Sequence, residues 1–380
     1  MNAWMRKPSE FYSVLIPDGE KAILLKVIYC MSHRSDIRLY VMSTIKDLPL
    51  NYSRYIYRFL HCPKKNNELD WINEINKVVE ENQIDVIMPI WEKSIRKLIK
   101  NKSQLNSNKL VPLPAFSDFL VAGSKDLLAE HLHEIGILGP KTVPLSMELV
   151  LDKEKLKLDF PVLAKPLKSG NGQGIIKFEN KEALVSHFLE CGVNESFVLQ
   201  EFLNGEDFCC NVLCFDGNIL AYTIQKGNLW DSKPFTAQMG MEFVDNEKVI
   251  EMIGKLMKSL HWSGVANIDL LYDPKKEVFY VLEINPRFWN SLTGSLMAGV
   301  NFPHLLVLLA LNKKIENQKY KLISYVNLQG LKLYIKKDKS LLFNFDYIWN
   351  STPLKYKIKD PIPIVYNIIK RFKLKIFGET

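Results

Sequence analysis

The stretch that decides the fold is Val278–Arg287, V-F-Y-V-L-E-I-N-P-R. Val278, Phe279, Tyr280 and Val281 are β-branched or aromatic and favour a pleated strand. Strand side chains alternate, so Val281, Glu283 and Asn285 are expected on one face and Tyr280, Leu282 and Ile284 on the other. A carboxylate and a carboxamide side by side are oxygen ligands for a hard cation such as Mg²⁺. Pro286 then ends the ladder, and Arg287 adds a positive charge. Taken alone, this equally describes a polar stripe on an ordinary hairpin.

The preceding segment separates the two readings. Val265–Tyr272, V-A-N-I-D-L-L-Y, is strand-like and leads into Asp273-Pro274-Lys275-Lys276-Glu277, a turn signal. With Tyr272 paired to Val278, Asp269 falls opposite Val281 and diagonal to Glu283, roughly 7–8 Å away at the backbone. Asp269, Glu283 and Asn285 then converge on one or two shared metal ions.

At 380 residues, 47% hydrophobic and 24% charged, the chain has ordinary globular composition and room for two or three domains. Wholesale disorder is excluded. The longest apolar run, Leu305–Leu311, is too short to span a bilayer. No signal-like core opens the sequence, so a cytoplasmic protein is expected. The six cysteines form no C-x-x-C pair and are expected as free thiols; adjacent Cys209 and Cys210 point to opposite faces of a strand, for packing rather than zinc. The net charge of +8, concentrated after Leu311, suits an acidic partner, an anionic membrane or phosphorylated substrates. No nucleic-acid-binding motif accompanies it.

The first hundred or so residues alternate strand and helix, predicting strands at Ser13–Ile16, Ile37–Met42, Asp85–Ile90 and Lys109–Pro114. Helices are predicted at Gly19–Met31, Trp71–Asn82 and Glu92–Lys100. This is an open, mostly parallel sheet, in which Asp18 and Glu92 sit at strand ends as substrate contacts or, more simply, as helix N-terminal acids. No G-x-G-x-x-G occurs. A helix over Ser124–Ile135 follows, with Ser124 as N-cap and Lys125 in a first turn where a cation opposes the helix dipole.

Strand Pro161–Lys165 carries a lysine in an apolar run. Ser169-Gly170-Asn171-Gly172-Gln173-Gly174 and strand Ile175–Phe178 follow. That loop reads equally as a phosphate cradle and as a flexible hairpin tip; it is not a Walker A loop. Phe197–Leu203 is an apolar strand whose Phe202 and Leu203 suit an adenine ring, with Asp207 placed to accept from a ribose hydroxyl. Asp216-Gly217 joins the next two strands as a hairpin turn.

In this order the features resemble the ATP-grasp superfamily, in the branch of carbamoyl-phosphate synthetase, biotin carboxylase and glycinamide ribonucleotide synthetase. E-I-N-P-R-F, A-G-V-N-F-P at Ala298–Pro303 and Q-E-F-L-N-G-E-D carry the resemblance, which covers Asp118–Leu311. It implies an amino-terminal parallel α/β domain over 1–117, then a two-lobed ATP-grasp domain with antiparallel sheets. Its lid would span 118–200 and its metal-bearing lobe 201–311, with 312–380 a basic extension.

The resemblance further implies that Lys125 and Lys165 contact the α- and β-phosphates while Ser169, Gly170, Asn171, Gly172, Gln173 and Gly174 close over the β- and γ-phosphates. Gln200, Glu201, Phe202 and Leu203 would hold adenine and Asp207 the ribose. Asp269, Glu283 and Asn285 would bind Mg²⁺ or Mn²⁺, and Arg287 with Lys165 would act on the transferring phosphoryl group. The implied activity is ATP-dependent ligation of a small carboxylate to an amine or thiol through an acyl phosphate. A kinase of a hydroxylated metabolite and a non-catalytic ATP-binding subunit are the alternatives. Asn290 stands where relatives commonly have glycine.

After Leu311, a helix over Ile364–Phe377 places Val365, Ile368, Ile369, Phe372 and Ile376 on one stripe. Docking on the protein's own body or a second subunit is expected before contact with a membrane.

Overall fold

The computed structural model describes residues 11–152, 156–167, 172–193, 197–230 and 235–377, with only the backbone course given for 371–377. Three sheets organise it. The first is parallel, in the order β3-β2-β1-β4, from β1 (Tyr12–Ile16), β2 (Ile37–Ser43), β3 (Arg58–His61) and β4 (Val86–Ile87). The second is antiparallel, in the order β5-β8-β6-β7, from β5 (Thr142–Pro144), β6 (Val162–Pro166), β7 (Ile176–Phe178) and β8 (Phe197–Glu201). The third is antiparallel, in the order β13-β12-β9-β10-β11-β14. Its strands are β9 (Glu206–Phe215), β10 (Asn218–Leu229), β11 (Gly240–Val244), β12 (Gly264–Asp273), β13 (Val278–Asn285) and β14 (Ser324–Val326).

Local chemistry explains the elements that frame the site. The Glu68–Glu81 helix is capped by Asn67, whose side chain accepts from the Asp70 N–H, and it buries Ile72, Ile75, Val78 and Val79. The Glu247–Ser259 helix is capped likewise by Asn246 and lays Val249, Ile253, Leu256 and Met257 under the six-stranded sheet. Asp216 (φ 46°) and Gly217 (φ 75°) turn β9 into β10 in the left-handed conformations of a two-residue hairpin. A Cβ on Gly217 would lie 2.7 Å from the Lys258 Cα, so the turn also needs the missing side chain.

One core joins a face of the parallel sheet (Val14, Ile16, Val41) to Leu213, Ala221 and Val265 of the six-stranded sheet through the helices Leu292–Ala298 and Phe302–Ala310. These helices are largely buried. Among the described residues no single helix is long and apolar enough to cross a membrane.

Several expectations shift. The first helix is shorter, Leu24–Met31, because residues 17–23 form a loop after β1. The predicted strand at Asp85–Ile90 contracts to Val86–Ile87, and Lys109–Pro114 contributes a single bridge, Leu110 to Ile87. Ser124 does not cap its helix; its hydroxyl bonds the Asp126 carboxylate instead. The helices over 116–134 were grouped above with the lid, but Ala122, Leu128 and Leu132 pack in the core of the six-stranded sheet.

The tail helix spans Ile362–Phe377 but docks through the side opposite to the one expected. Tyr366 Oη donates to Asp47 at 2.5 Å, Lys370 Nζ reaches the same carboxylate at 2.8 Å, and the Tyr366 and Tyr52 rings lie 4.3 Å apart. Val365, Ile368 and Ile369 of the apolar stripe stay about half exposed.

Candidate active site

The β12–β13 hairpin sets the site, in a register different from the one read in sequence. Asp273 joins the ladder opposite Val278, and its carboxylate accepts from the N–H groups of Lys275 and Lys276 at 2.9 and 3.2 Å. That moves every pair by one residue. A bulge at Leu282 then adds a second shift, so Asp269 stands directly opposite Glu283, and Asn267 opposite Asn285. The bulge also separates Val281 from the polar face. Val281 packs in the core with Phe279 and Ile284, while Leu282, Glu283 and Asn285 face a cavity.

Asp269 and Glu283 stand partly buried on the cavity wall, where each shifts the protonation of the other. Burial and the neighbouring Glu283 charge push Asp269 well above the ordinary carboxylate value. Burial also acts on Glu283. The Lys125 charge, hydrogen bonds from Asp269 and Asn285, and the Lys165 charge outweigh it and hold Glu283 below its ordinary value. Asn285 Nδ2 donates to Asp269 at 3.1 Å, to Glu283 at 3.2 Å and to Asn267 at 3.2 Å; Arg287 Nη2 donates to Asn285 Oδ1 at 3.0 Å. Three acceptors around the nitrogen and one donor at the oxygen fix the amide orientation. The Cys209 thiol donates to Asp269 at 3.1 Å. Cys210, one residue on, is in the core, as alternation predicts.

The cavity has a volume of about 680 Å³ and is lined by both halves of the predicted site. Asp207, Asp269, Glu283 and Asn285 line it from the six-stranded sheet, with Arg287 just beyond β13; Lys165, Gln200 and Glu201 line it from the four-stranded sheet, Phe202 and Leu203 from the link between the two, and Gly172 lines it as well. Lys165 Nζ donates to Gln200 at 2.5 Å, and Gln200 Nε2 to Thr142 Oγ1 at 2.8 Å. Burial lowers the Lys165 pKa to about 8; Glu283 and Asp269 oppose the shift and Lys125 reinforces it. Asp207 accepts from Trp230 Nε1 at 2.9 Å, and burial raises its pKa.

Some predicted residues stand apart. Lys125 does not line the cavity and acts on Glu283 and Lys165 through its charge. Gln173 and Gly174 are exposed and turned from it. Ser169, Gly170 and Asn171 lie outside the described residues. Gly172 (φ 70°) presses against the Phe235 carbonyl, 1.8 Å from where a Cβ would stand, so the glycine hairpin meets the 235–238 segment over the cavity mouth. Asp18 is no substrate contact: wholly buried, it accepts from the N–H groups of Ile90 and Trp91 at the start of the Glu92–Lys100 helix. Burial pushes its pKa up to about 7.

Sequence reasoning missed residues that only tertiary contact delivers. The Trp91 ring lies 4.9 Å from the Arg287 guanidinium, and Trp230 binds Asp207. Asn267 and Asn211 (3.0 Å apart) extend the polar layer behind Asn285. Asn267 had a signal, since it lies two residues before Asp269 on the same strand face.

The donor set of two carboxylates and an amide oxygen fits a hard divalent cation. Among the described residues no group of three or more His, Cys, Asp or Glu side chains is arranged to hold a metal ion; this set has two carboxylates and completes itself with the amide.

Residues 194–331 match a family described as "ATP-grasp in the biosynthetic pathway with Ter operon". The chain is 24% identical over 222 residues to a D-aspartate ligase of Enterococcus faecium, covering 53% of each protein. It is 25% identical over 228 residues to a carbamoyl-phosphate synthase of Methanobrevibacter smithii, covering 56% of this chain and 59% of that one. The chain thus spans about half the length of the curated relatives it matches. In fold it is similar to N5-carboxyaminoimidazole synthetase from Staphylococcus aureus, solved with ADP, with a TM-score of 0.69, 19% identity and 87% of each chain covered. A parallel sheet leading into two antiparallel ones is the fold the chain shares with that structure, and the stretch that matches the ATP-grasp family model, residues 194–331, carries Asp269, Glu283 and Asn285.

Proposed function

We propose that the chain is an ATP- and Mg²⁺-dependent ligase joining a small carboxylate to an amine or thiol through an acyl phosphate. The observation that carries this reading is the Asp269–Glu283 pair facing Lys165 across one cavity. Phosphoryl transfer needs charge neutralisation and alignment more than a covalent nucleophile. Lys165 would hold the ATP phosphates, with Lys125 adding positive potential from behind. Gln200, Glu201, Phe202 and Leu203 would receive adenine, and Asp207, fixed by Trp230, the ribose. Asp269, Glu283 and Asn285 are the residues to hold Mg²⁺, which when bound supplies charge neutralisation to the phosphate tail.

The substrate carboxylate oxygen would take the γ-phosphoryl group of ATP, leaving ADP. The nucleophile's lone pair then attacks the acyl carbon, the C–O bond to phosphate breaks, and the proton of the incoming amine or thiol passes to water. Arg287, whose guanidinium lies over the Trp91 ring, would steady the transferring group. The name of the D-aspartate ligase relative agrees with a carboxylate–amine reaction. The deciding experiment measures ADP release against panels of carboxylates and amines, then replaces the amine by hydroxylamine. A hydroxamate is expected. ADP formation with a phosphorylated hydroxyl product and no hydroxamate would overturn the ligase reading in favour of a kinase.

A further inference from the structure

The tail helix presents its apolar stripe to solvent while its other side is pinned to the body. Ile362, Val365, Ile368 and Ile369 are 52, 51, 50 and 48% exposed. At about 100° per residue they fall within one arc roughly 120° wide, and the same spacing continues in sequence at Phe372 and Ile376. Tyr366 and Lys370, bonded to Asp47, and the buried Pro363 lie on the opposite arc. The stripe is thus not an undocked surface awaiting this body; the docked side is already chosen.

Charge decides what the exposed side meets. Residues 312–380 hold 15 of the 50 Lys+Arg and 5 of the 42 Asp+Glu, a net +10, so residues 1–311 carry −2. The helix itself contains Lys370, Arg371, Lys373 and Lys375 and no acid. An exposed apolar stripe on an acid-free, lysine-rich helix is the composition of a helix that lies in an anionic lipid interface. A two-fold contact between copies would bring two acid-free basic helices together.

We propose that this helix docks the protein peripherally on an anionic lipid surface, with the Ile362–Ile369 stripe entering the headgroup region and the cations of the helix sequence drawn to acidic headgroups. The test is flotation of the full chain with vesicles of phosphatidylglycerol and phosphatidylcholine, and with phosphatidylcholine alone. Binding to the acidic vesicles is expected, weakened at high salt, and absent on the neutral ones. Lys373→Ala and Lys375→Ala should each lower it about fivefold, and Ile368→Asp with Ile369→Asp should lower it at least tenfold, circular dichroism showing the fold retained. No binding to acidic vesicles, or binding unchanged in the isoleucine double variant, overturns the proposal. So does a dimer in light scattering that the same variant dissolves, because the stripe would then belong to a second copy.

Discussion

Glu283 faces Asp269 directly across the β12–β13 ladder, not on the diagonal that simple alternation gives. The Glu283 charge helps to hold Asp269 above the ordinary carboxylate value, and a divalent cation between them would offset that repulsion. Replacing Glu283 with Gln should reduce ADP formation at least about a hundredfold and leave the melting temperature unchanged or higher. Steady-state kinetics beside thermal unfolding checks both halves, and undiminished turnover would remove Glu283 from the metal set.

Lys165 has a pKa lowered to about 8 by burial. Its positive charge is present below that value and lost as pH rises through it. ATP affinity should therefore weaken between about pH 7.5 and 9, while Lys165→Arg, charged throughout, should show a flatter profile. Lys165→Ala should bind ATP roughly tenfold or more weakly at pH 7. Calorimetric titration at several pH values reads this, and normal affinity in the alanine variant would contradict the assignment.

Asp18 yields a prediction for stability, not for binding. Its folded pKa is about 7 against an ordinary 3.8. Between these values the folded protein keeps a proton that the unfolded chain has released, so stability falls as pH rises from about 4 to 7 and levels off above. Asp18→Asn keeps the accepting oxygen and removes the titration. At one unit per about 1.4 kcal/mol, the variant should gain up to about 4 kcal/mol on wild type between pH 4 and 8. Denaturant unfolding at both pH values, with parallel curves for the two proteins, would refute this.

Gly217 tests the hairpin below the site. Valine there meets the Lys258 backbone and a positive φ, and should cost about 2–4 kcal/mol in unfolding free energy without altering ATP affinity per folded molecule.

Much of the site could be read from residue spacing. Period-two alternation and the D-P-K-K-E turn brought Asp269, Glu283 and Asn285 together, whereas Lys165 and Gln200 were joined to them only through the family resemblance, not through spacing. The register was not legible, because Asp273 caps the turn while still pairing, and nothing in V-L-E-I-N marks Leu282 as the bulged residue. Trp91 and Trp230 reach the site from distant loops, which no local pattern encodes. The tail's amphipathic stripe was visible in sequence; its direction was not, because the anchor is Asp47, 319 residues from Tyr366.

Asn285 Nδ2 donates to both carboxylates while its Oδ1 accepts from Arg287, so one side chain links the acidic and the basic halves of the site. A substitution at this position perturbs both halves together, and its effect should not add to those of changes at Glu283 or Arg287.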